Sequence, residues 1–395
     1  MGCSFIAENG VMLKHSSDWA ANDSLIISDI DVDKLNMCRM RSSVFKELKG
    51  NGIFYNLNIP DWHAEKPIYP IPENPFITDS LDKTCSEAFS IQVASLVTRM
   101  QNICAKKVVL GISGGLDSTL ALLVVAKSFD VMGLDRNGIV AVTMPGFGTT
   151  DRTYNNALEL MKCLGTDVRE ISIANACLAH FSDIGHNPEI KDVVFENSQA
   201  RERTQILMDL ANKENALVIG TGDMSELALG WCTYNGDQMS MYGVNAGVPK
   251  TMVRRIVEYL AESEDFVAAR SYLIDVVATP VSPELLPADN DGNINQKTEN
   301  LVGPYELHDF FIYHLLKNGF APQKVLYLAK YAFSGQYNED TISKWLKLFL
   351  RRFFSQQFKR SSMPDGPQVF AVSLSPRNGW RFPSDVSSAE WLADL

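Results

Sequence analysis

Two short stretches of this 395-residue chain carry groups whose types and spacing suit chemistry on a bound anion. The first is Val108-Val109-Leu110-Gly111-Ile112-Ser113-Gly114-Gly115-Leu116-Asp117-Ser118-Thr119. An apolar, β-branched run enters it, Ser-Gly-Gly turns it, and a helical pattern with Leu120, Leu122 and Leu123 leaves it. Paired glycines let the main chain bend tightly and approach a ligand with no Cβ in the way. The helix that follows aims free N–H groups into the turn, which favours an anion such as phosphate. The run lacks a Gly-Lys-Ser/Thr ending and is therefore not a Walker A loop. The second stretch, Gly220-Thr221-Gly222-Asp223-Met224-Ser225-Glu226-Leu227-Ala228-Leu229-Gly230-Trp231, places Glu226 early in a helix after an apolar strand. Alone, a carboxylate there reads as a helix cap.

Alternating elements must hold both stretches. From residue 81 the pattern predicts helix 86–104, strand 108–112, helix 117–128, strand 138–144, helix 152–163, strand 167–173, helix 174–181, helix 197–213 and strand 216–220. Such alternation implies an α/β fold with a parallel sheet covered on both faces. Ligands in such folds bind beyond the carboxyl ends of the strands, where both stretches fall. The remainder is mostly helical, near 249–263, 305–318, 322–332 and 339–355, ahead of a Pro- and Ser-rich tail. Residues 49–80, with prolines at 60, 67, 70, 72 and 75, read as an extended linker pinned by Trp62 and Tyr69. Residues 1–48 suggest strands at 4–7, 11–13 and 25–30, a turn at Glu8-Asn9-Gly10 and a helix over 31–41, too little to bury a core alone.

The first stretch resembles the SGGxDS loop of the ATP pyrophosphatase (PP-loop) superfamily, which splits ATP between the α- and β-phosphates. Cleavage there calls for a divalent cation to offset charge on the departing pyrophosphate. Magnesium takes one or two protein carboxylates besides phosphate oxygens and water, and Asp117 and Glu226 are the expected metal ligands. The resemblance then narrows. GTGDMSELALGW at 220–231 and Tyr242-Gly243-Val244-Asn245-Ala246-Gly247-Val248-Pro249-Lys250-Thr251 are similar to the synthetase domain of glutamine-dependent NAD synthetases. So are ENSQARERTQILMDLAN at 196–212, TPVSPELLP at 279–287, GPYELHDFFIYHLL at 303–316, QFKRSSMPDGP at 357–367 and LSPRNGWRFPSD at 374–385.

That likeness implies a Rossmann-like doubly wound parallel sheet with extra C-terminal helices, ATP as co-substrate, Mg2+, and adenylation of deamido-NAD followed by displacement of AMP by ammonia. It implies that Gly111, Ser113, Gly114, Gly115, Leu116, Asp117, Ser118, Thr221, Lys250 and Ser282 face ATP, with Asp117, Glu226 and Lys250 catalytic. Asn197, Arg201, Glu226, Trp231, Cys232, Thr233, Tyr234, Asp237 and Lys359 would face deamido-NAD. Trp231 and Tyr234 offer flat faces for a pyridine ring. Arg201 and Arg203 lie two apart on a helix, so only one is expected to face the ligand. The likeness covers residues 81–395. Residues 1–48 look like the end of the nitrilase-type amidase domain that precedes the synthetase domain in the full-length family. A truncated chain limited to free ammonia, with exposed apolar strand surface, is the corresponding expectation. Family members usually form homodimers or larger assemblies.

Composition limits the alternatives. A formal net charge of −11 argues against a nucleic-acid partner. Seven scattered cysteines without a CxxC pair fit reduced thiols in the cytoplasm better than a disulfide framework or a zinc site. No apolar run approaches the ~18 residues of a membrane span. Cys3 has no Glu or Lys partner in nitrilase order and is not expected to be a nucleophile. Asp289-Asn290-Asp291-Gly292-Asn293 begins like a calcium loop but has Asn300 at its twelfth position, and reads as a polar turn. His308 and His314 are spaced wrongly for a shared metal. The rival readings are another PP-loop ligase or amidotransferase, GMP synthetase-like or tRNA-modifying, and a non-catalytic nucleotide-binding module.

Overall fold

The apolar β-branched runs become strands of one parallel sheet in the computed structural model, which describes residues 3–16, 25–47, 66–148, 151–279 and 301–395. The chain opens with a hairpin of β1 (Phe5–Glu8) and β2 (Val11–His15). Asn9 and Gly10 turn it with φ of 47° and 81°, the left-handed pair that matches strand twist in a two-residue hairpin. Helices α1 (Val32–Arg41) and α2 (Ser43–Glu47) follow. Residues 25–30, expected as a strand, form none: side chains rather than a neighbouring strand hold the segment, with Glu8 accepting from the Asp31 N–H at 2.6 Å and Asp29 from the Ile68 N–H at 2.5 Å. Phe5, Val11, Met12 and Leu25 are exposed, as the sequence anticipates for this segment. Residues 66–80 contain no helix or strand, and Phe76, not Tyr69, is the buried anchor, edge-on to Tyr313 and Phe370. Trp62 and the 289–293 turn lie outside the described residues.

Then come α3 (Leu81–Asn102), β3 (Val108–Gly111), α4 (Leu116–Met132), β4 (Ile139–Thr143), α5 (Asp151–Cys163), β5 (Asp167–Glu170), α6 (Ala174–Ile184), α7 (Val193–Glu214), β6 (Leu217–Gly220), α8 (Met224–Leu229), β7 (Tyr242–Gly243), α9 (Lys250–Ala261) and α10 (Arg270–Ala278). After residue 300 follow α11 (Tyr305–Ile312), running into a π-helical turn at Tyr313–Lys317, then α12 (Pro322–Ala332), α13 (Glu339–Ser355), α14 (Gln357–Ser361) and α15 (Ala389–Ala393). The sheet runs β5-β4-β3-β6-β7, parallel throughout. The period-2 alternation of β3 supplies both faces: Val108 and Leu110 join the larger core with α3, α4 and α9, and Val109 joins the smaller one with Phe181 and Phe195. The doubly wound fold therefore holds. The chain steps outward from β3 to β4 and β5, then returns to place β6 on the other side of β3. The loops after β3 and β6 thus flank the reversal of strand order, where such sheets bind ligands. The two-residue β7 and α10 escaped sequence reading, the first for its length and the second for its weakly amphipathic pattern.

Helix α11 buries His308 completely; its Nε2 donates to the Val302 carbonyl at 2.6 Å and Nδ1 has no partner. Burial drives its pKa from 6.5 down to about 4. The unfolded chain therefore binds a proton that the folded chain refuses, and stability falls as pH drops through this window. At pH 5 the loss from this group should be about 2 kcal/mol relative to pH 7. Urea unfolding of the native chain and His308→Gln at both pH values checks this: the stability gap between them should shrink by that amount on acidification, and an unchanged gap contradicts it.

Candidate active site

At the end of β3 the loop is built from its own side chains. Ser113 Oγ accepts from the Gly115 N–H at 3.2 Å, and Ser118 Oγ donates to the Gly115 carbonyl at 3.1 Å. Gly114 sits at φ +90°, and a Cβ there would stand 2.3 Å from the Thr153 carbonyl oxygen, so only glycine fits. Gly115 caps α4 with no side-chain hydrogen bond, which leaves the first N–H groups of that helix open to an anion. The loop walls a cavity of about 900 Å³ at the carboxyl edge of the sheet.

Three carboxylates meet at its floor, where Asp117 and Glu226 line the cavity and Asp223 is fully buried beside them. Asp117 comes from the first turn of α4; Asp223 and Glu226 come from the start of α8. Each offers an oxygen, and these oxygens lie within 4.8 Å of one another. Lys250, the first residue of α9, sits among them: its Nζ is 2.6 Å from Asp117 Oδ2, 2.9 Å from Glu226 Oε1 and 3.0 Å from Asp223 Oδ2. Lys250 and Asp223 are almost wholly buried. Burial works against the Lys250 ammonium, but the carboxylates outweigh it and hold its pKa well above the usual lysine value. Glu226 is raised to about 7 by burial, opposed by Lys250 and reinforced by Asp117. Asp223 is pushed well up for the same reasons and also caps α8, its Oδ1 accepting from Ser225 and Glu226 N–H at 2.7 and 2.9 Å. One ammonium faces three carboxylates, and Asp117 Oδ1 is buried without a hydrogen-bond partner. A surplus of hard, converging oxygens fits a divalent cation such as magnesium.

Lysine 250 is thus placed beside the expected metal ligands and points at carboxylates. Asp223 was missed by the sequence reading, although its place directly before a helix marked it as an N-cap. Asn245 was also missed. Fully buried, it donates from Nδ2 to the Asp117 and Thr221 carbonyls, both at 2.9 Å, and so ties the loops after β3 and β6 together. Gln92 holds it from α3 at 3.0 Å. No local pattern betrays a residue whose partners are main-chain carbonyls far away in sequence.

The far wall is the 230–237 loop. Asp237 Oδ1 accepts from the Thr233 N–H at 2.7 Å, Thr233 Oγ1 donates to Asn197 Oδ1 at 2.7 Å, and Arg201 Nε donates to the Tyr234 carbonyl at 3.3 Å. Lys359 Nζ donates to the Gly230 and Cys232 carbonyls, each at 2.7 Å. Arg352, another missed residue, lies 5.3 Å over the Trp231 ring and covers one of its faces. Burial drives the Cys232 thiol up to about 12, which rules against a thiolate role. All the expected site residues line this one cavity, Gly111, Leu116, Ser118 and Thr221 included, except Ser282, which lies outside the described residues. Arg201 and Arg203 both line the cavity but turn to different partners, Arg201 to the Tyr234 carbonyl and Arg203 to the Met144 carbonyl at 3.1 Å.

Known proteins share the sequence and the fold of this chain. A sequence model described as NAD synthase matches residues 89–324. A glutamine-dependent NAD(+) synthetase of Mycobacterium leprae is 38% identical across the whole chain, and one of Synechocystis is 28% identical over 70% of it. The chain spans 63% of the length of the first of these and 45% of the second. A solved glutamine-dependent NAD(+) synthetase from Cytophaga hutchinsonii superposes with a TM-score of 0.65 over 79% of this chain and 56% of its own, at 20% identity, a likeness of fold. The Ser-Gly-Gly loop, the floor of carboxylates and most of the cavity wall fall inside the matched segment, and the chain belongs to the NAD synthase family.

Proposed function

We propose that this chain is a carbon–nitrogen ligase that converts deamido-NAD to NAD at the expense of ATP, with ammonia as the nitrogen donor. One observation carries the reading: the carboxylates of Asp117, Asp223 and Glu226 converge with Lys250 at the foot of an uncapped, glycine-bent loop. The substrate carboxylate oxygen attacks the α-phosphorus, the Pα–O–Pβ bond breaks, and pyrophosphate leaves. Ammonia then attacks the acyl carbon, loses a proton, and AMP departs with the bond it held. The protein's work is placement and charge stabilisation.

In this reading the loop N–H groups and the Ser113 and Ser118 hydroxyls hold phosphate, with Gly114 and Gly115 allowing the close approach. Thr221 borders the nucleotide. Asp117, Glu226 and Asp223 would hold magnesium, which when bound offsets charge on the departing pyrophosphate. Lys250 adds a fixed positive charge. Asn197, Arg201, Trp231, Tyr234 and Asp237 shape the deamido-NAD side, where Lys359 steadies the loop through Gly230 and Cys232. Residues 81–395 form the ligase unit, and residues 1–48 are the end of an amidase-type unit joined by the 49–80 connector. The setting is cytoplasmic, which all seven cysteines being free thiols supports, and the working form is a homo-oligomer. Among the described residues no helix is long and apolar enough to cross a membrane.

Pyrophosphate release measured with ATP, magnesium and ammonium chloride tests the substrate. Release should require deamido-NAD and should not appear with xanthylate or tRNA. Release with xanthylate but not with deamido-NAD would replace this reading by the GMP synthetase-like one.

A further inference from the structure

Helix α9 starts in an unusual way. Its N-cap is Pro249, which has no side-chain acceptor, so the first two N–H groups of the helix, those of Lys250 and Thr251, have no local partner. They are satisfied from two other helices. The Lys250 N–H donates to Ser225 Oγ of α8 at 2.8 Å, and the Thr251 N–H donates to Asp309 Oδ2 of α11 at 2.9 Å. The Ser225 hydroxyl in turn donates to Asp309 Oδ1, and the Thr251 hydroxyl donates to Asp309 Oδ2 at 2.7 Å. Asn74 closes the group, donating to Thr251 Oγ1 at 3.3 Å. One buried carboxylate thus accepts three hydrogen bonds and joins the starts of α8 and α9. Those two starts carry Glu226 and Lys250. One turn before Asp309, the Tyr305 ring lies 5.4 Å from Lys250 Nζ and flanks the ammonium.

We infer that Asp309 is a positioning residue for the proposed adenylation: as an acceptor supplied in place of a local cap, it locks the first turn of α9 onto α8 and so keeps Lys250 Nζ at the meeting point of Asp117, Asp223 and Glu226. Asp309 does not line the cavity and touches no substrate in this scheme. Its negative charge at a helix start is favourable in itself, but the geometric lock does the positioning. The inference rests on the proposed function only for its kinetic consequence; its structural consequence is independent.

The test compares Asp309→Ala with Asp309→Asn, which keeps an oxygen for Thr251 and an NH2 that can donate to Ser225 Oγ. Hydrogen exchange of the 249–256 backbone is read in the native chain and both variants, well below their unfolding temperatures. Asp309→Ala should speed exchange there by about tenfold or more without a comparable change in β3 and β4, and Asp309→Asn should largely restore protection. In turnover, Asp309→Ala should lower kcat by about 30-fold with KM for deamido-NAD within about threefold, and Asp309→Asn should recover most of the loss. Should Asp309→Ala fail to fold, Ser225→Ala, which removes the bridging hydroxyl, must show the same local exchange. Unchanged exchange at 249–256, or equal loss in both Asp309 variants, overturns the inference. Altered exchange in a chain that shows no turnover with deamido-NAD supports the lock and instead refutes the proposed reaction.

Discussion

Lys250→Met should remove about 3–5 kcal/mol of unfolding free energy in metal-free buffer, because it leaves the fully buried Asp223 and the half-buried Asp117 and Glu226 without the ammonium they share. Methionine fills nearly the same volume, so the loss reports charge rather than a cavity. Lys250 Nζ lies within 3.0 Å of an oxygen from each carboxylate, so no other described cation can take its place without rearrangement. Magnesium can supply that charge, and millimolar magnesium should recover more stability in the variant than in the native chain. Turnover should fall by about 100-fold or more even with magnesium, since a charge near the phosphates is gone. Urea unfolding with EDTA and with magnesium chloride reads both effects. A variant as stable as the native chain in EDTA would mean that the carboxylates are not held as a charged cluster.

The second large effect concerns the loop. Gly114→Ala should weaken ATP binding by about 100-fold and destabilise the fold by about 1–3 kcal/mol. The added methyl group meets the Thr153 main-chain oxygen at 2.3 Å in a left-handed conformation, so the loop or the start of α5 must move. Gly115→Ala is the internal control. There φ is −84° and the new Cβ meets only Ser113 Oγ at 3.4 Å, an ordinary contact. Its stability should change by less than about 1 kcal/mol. Thermal unfolding of the two variants separates the cases, nucleotide titration of Gly114→Ala reads the binding loss, and equal destabilisation would remove the steric argument for Gly114.

Much of this site is legible in the chain itself. The β-branched run into Ser113-Gly114-Gly115 announces strand, turn and helix through local chemistry, and the spacing of Asp117 and Glu226 from their strand ends places both at one edge of the sheet. Lys250 is reachable only through its resemblance to a known motif, since a lysine opening a helix looks like any solvated one. Arg201 and Arg203, two apart on α7, turn to different carbonyls, those of Tyr234 and Met144, as the helical offset predicts. Asn245, Arg352 and Asp309 left no signal because their partners are carbonyls, rings and N–H groups brought together only by packing, of α3 and α4 for Asn245 and of α8, α9, α11 and α13 for the other two. The absence of a strand at 25–30 has a related cause, for a strand needs a neighbour and none is supplied there among the described residues.

In the proposed reaction the cluster around Lys250 and the Gly114 loop together activate a carboxylate by transferring AMP to it. Isotope transfer tests this directly. Deamido-NAD labelled with oxygen-18 in both oxygens of its nicotinate carboxylate is turned over with ATP, magnesium and ammonium chloride, and the AMP is analysed by mass spectrometry. One oxygen-18 should appear in the AMP phosphate and one in the amide of NAD, with Asp117→Ala forming neither product. Unlabelled AMP formed alongside NAD would contradict the proposed reaction.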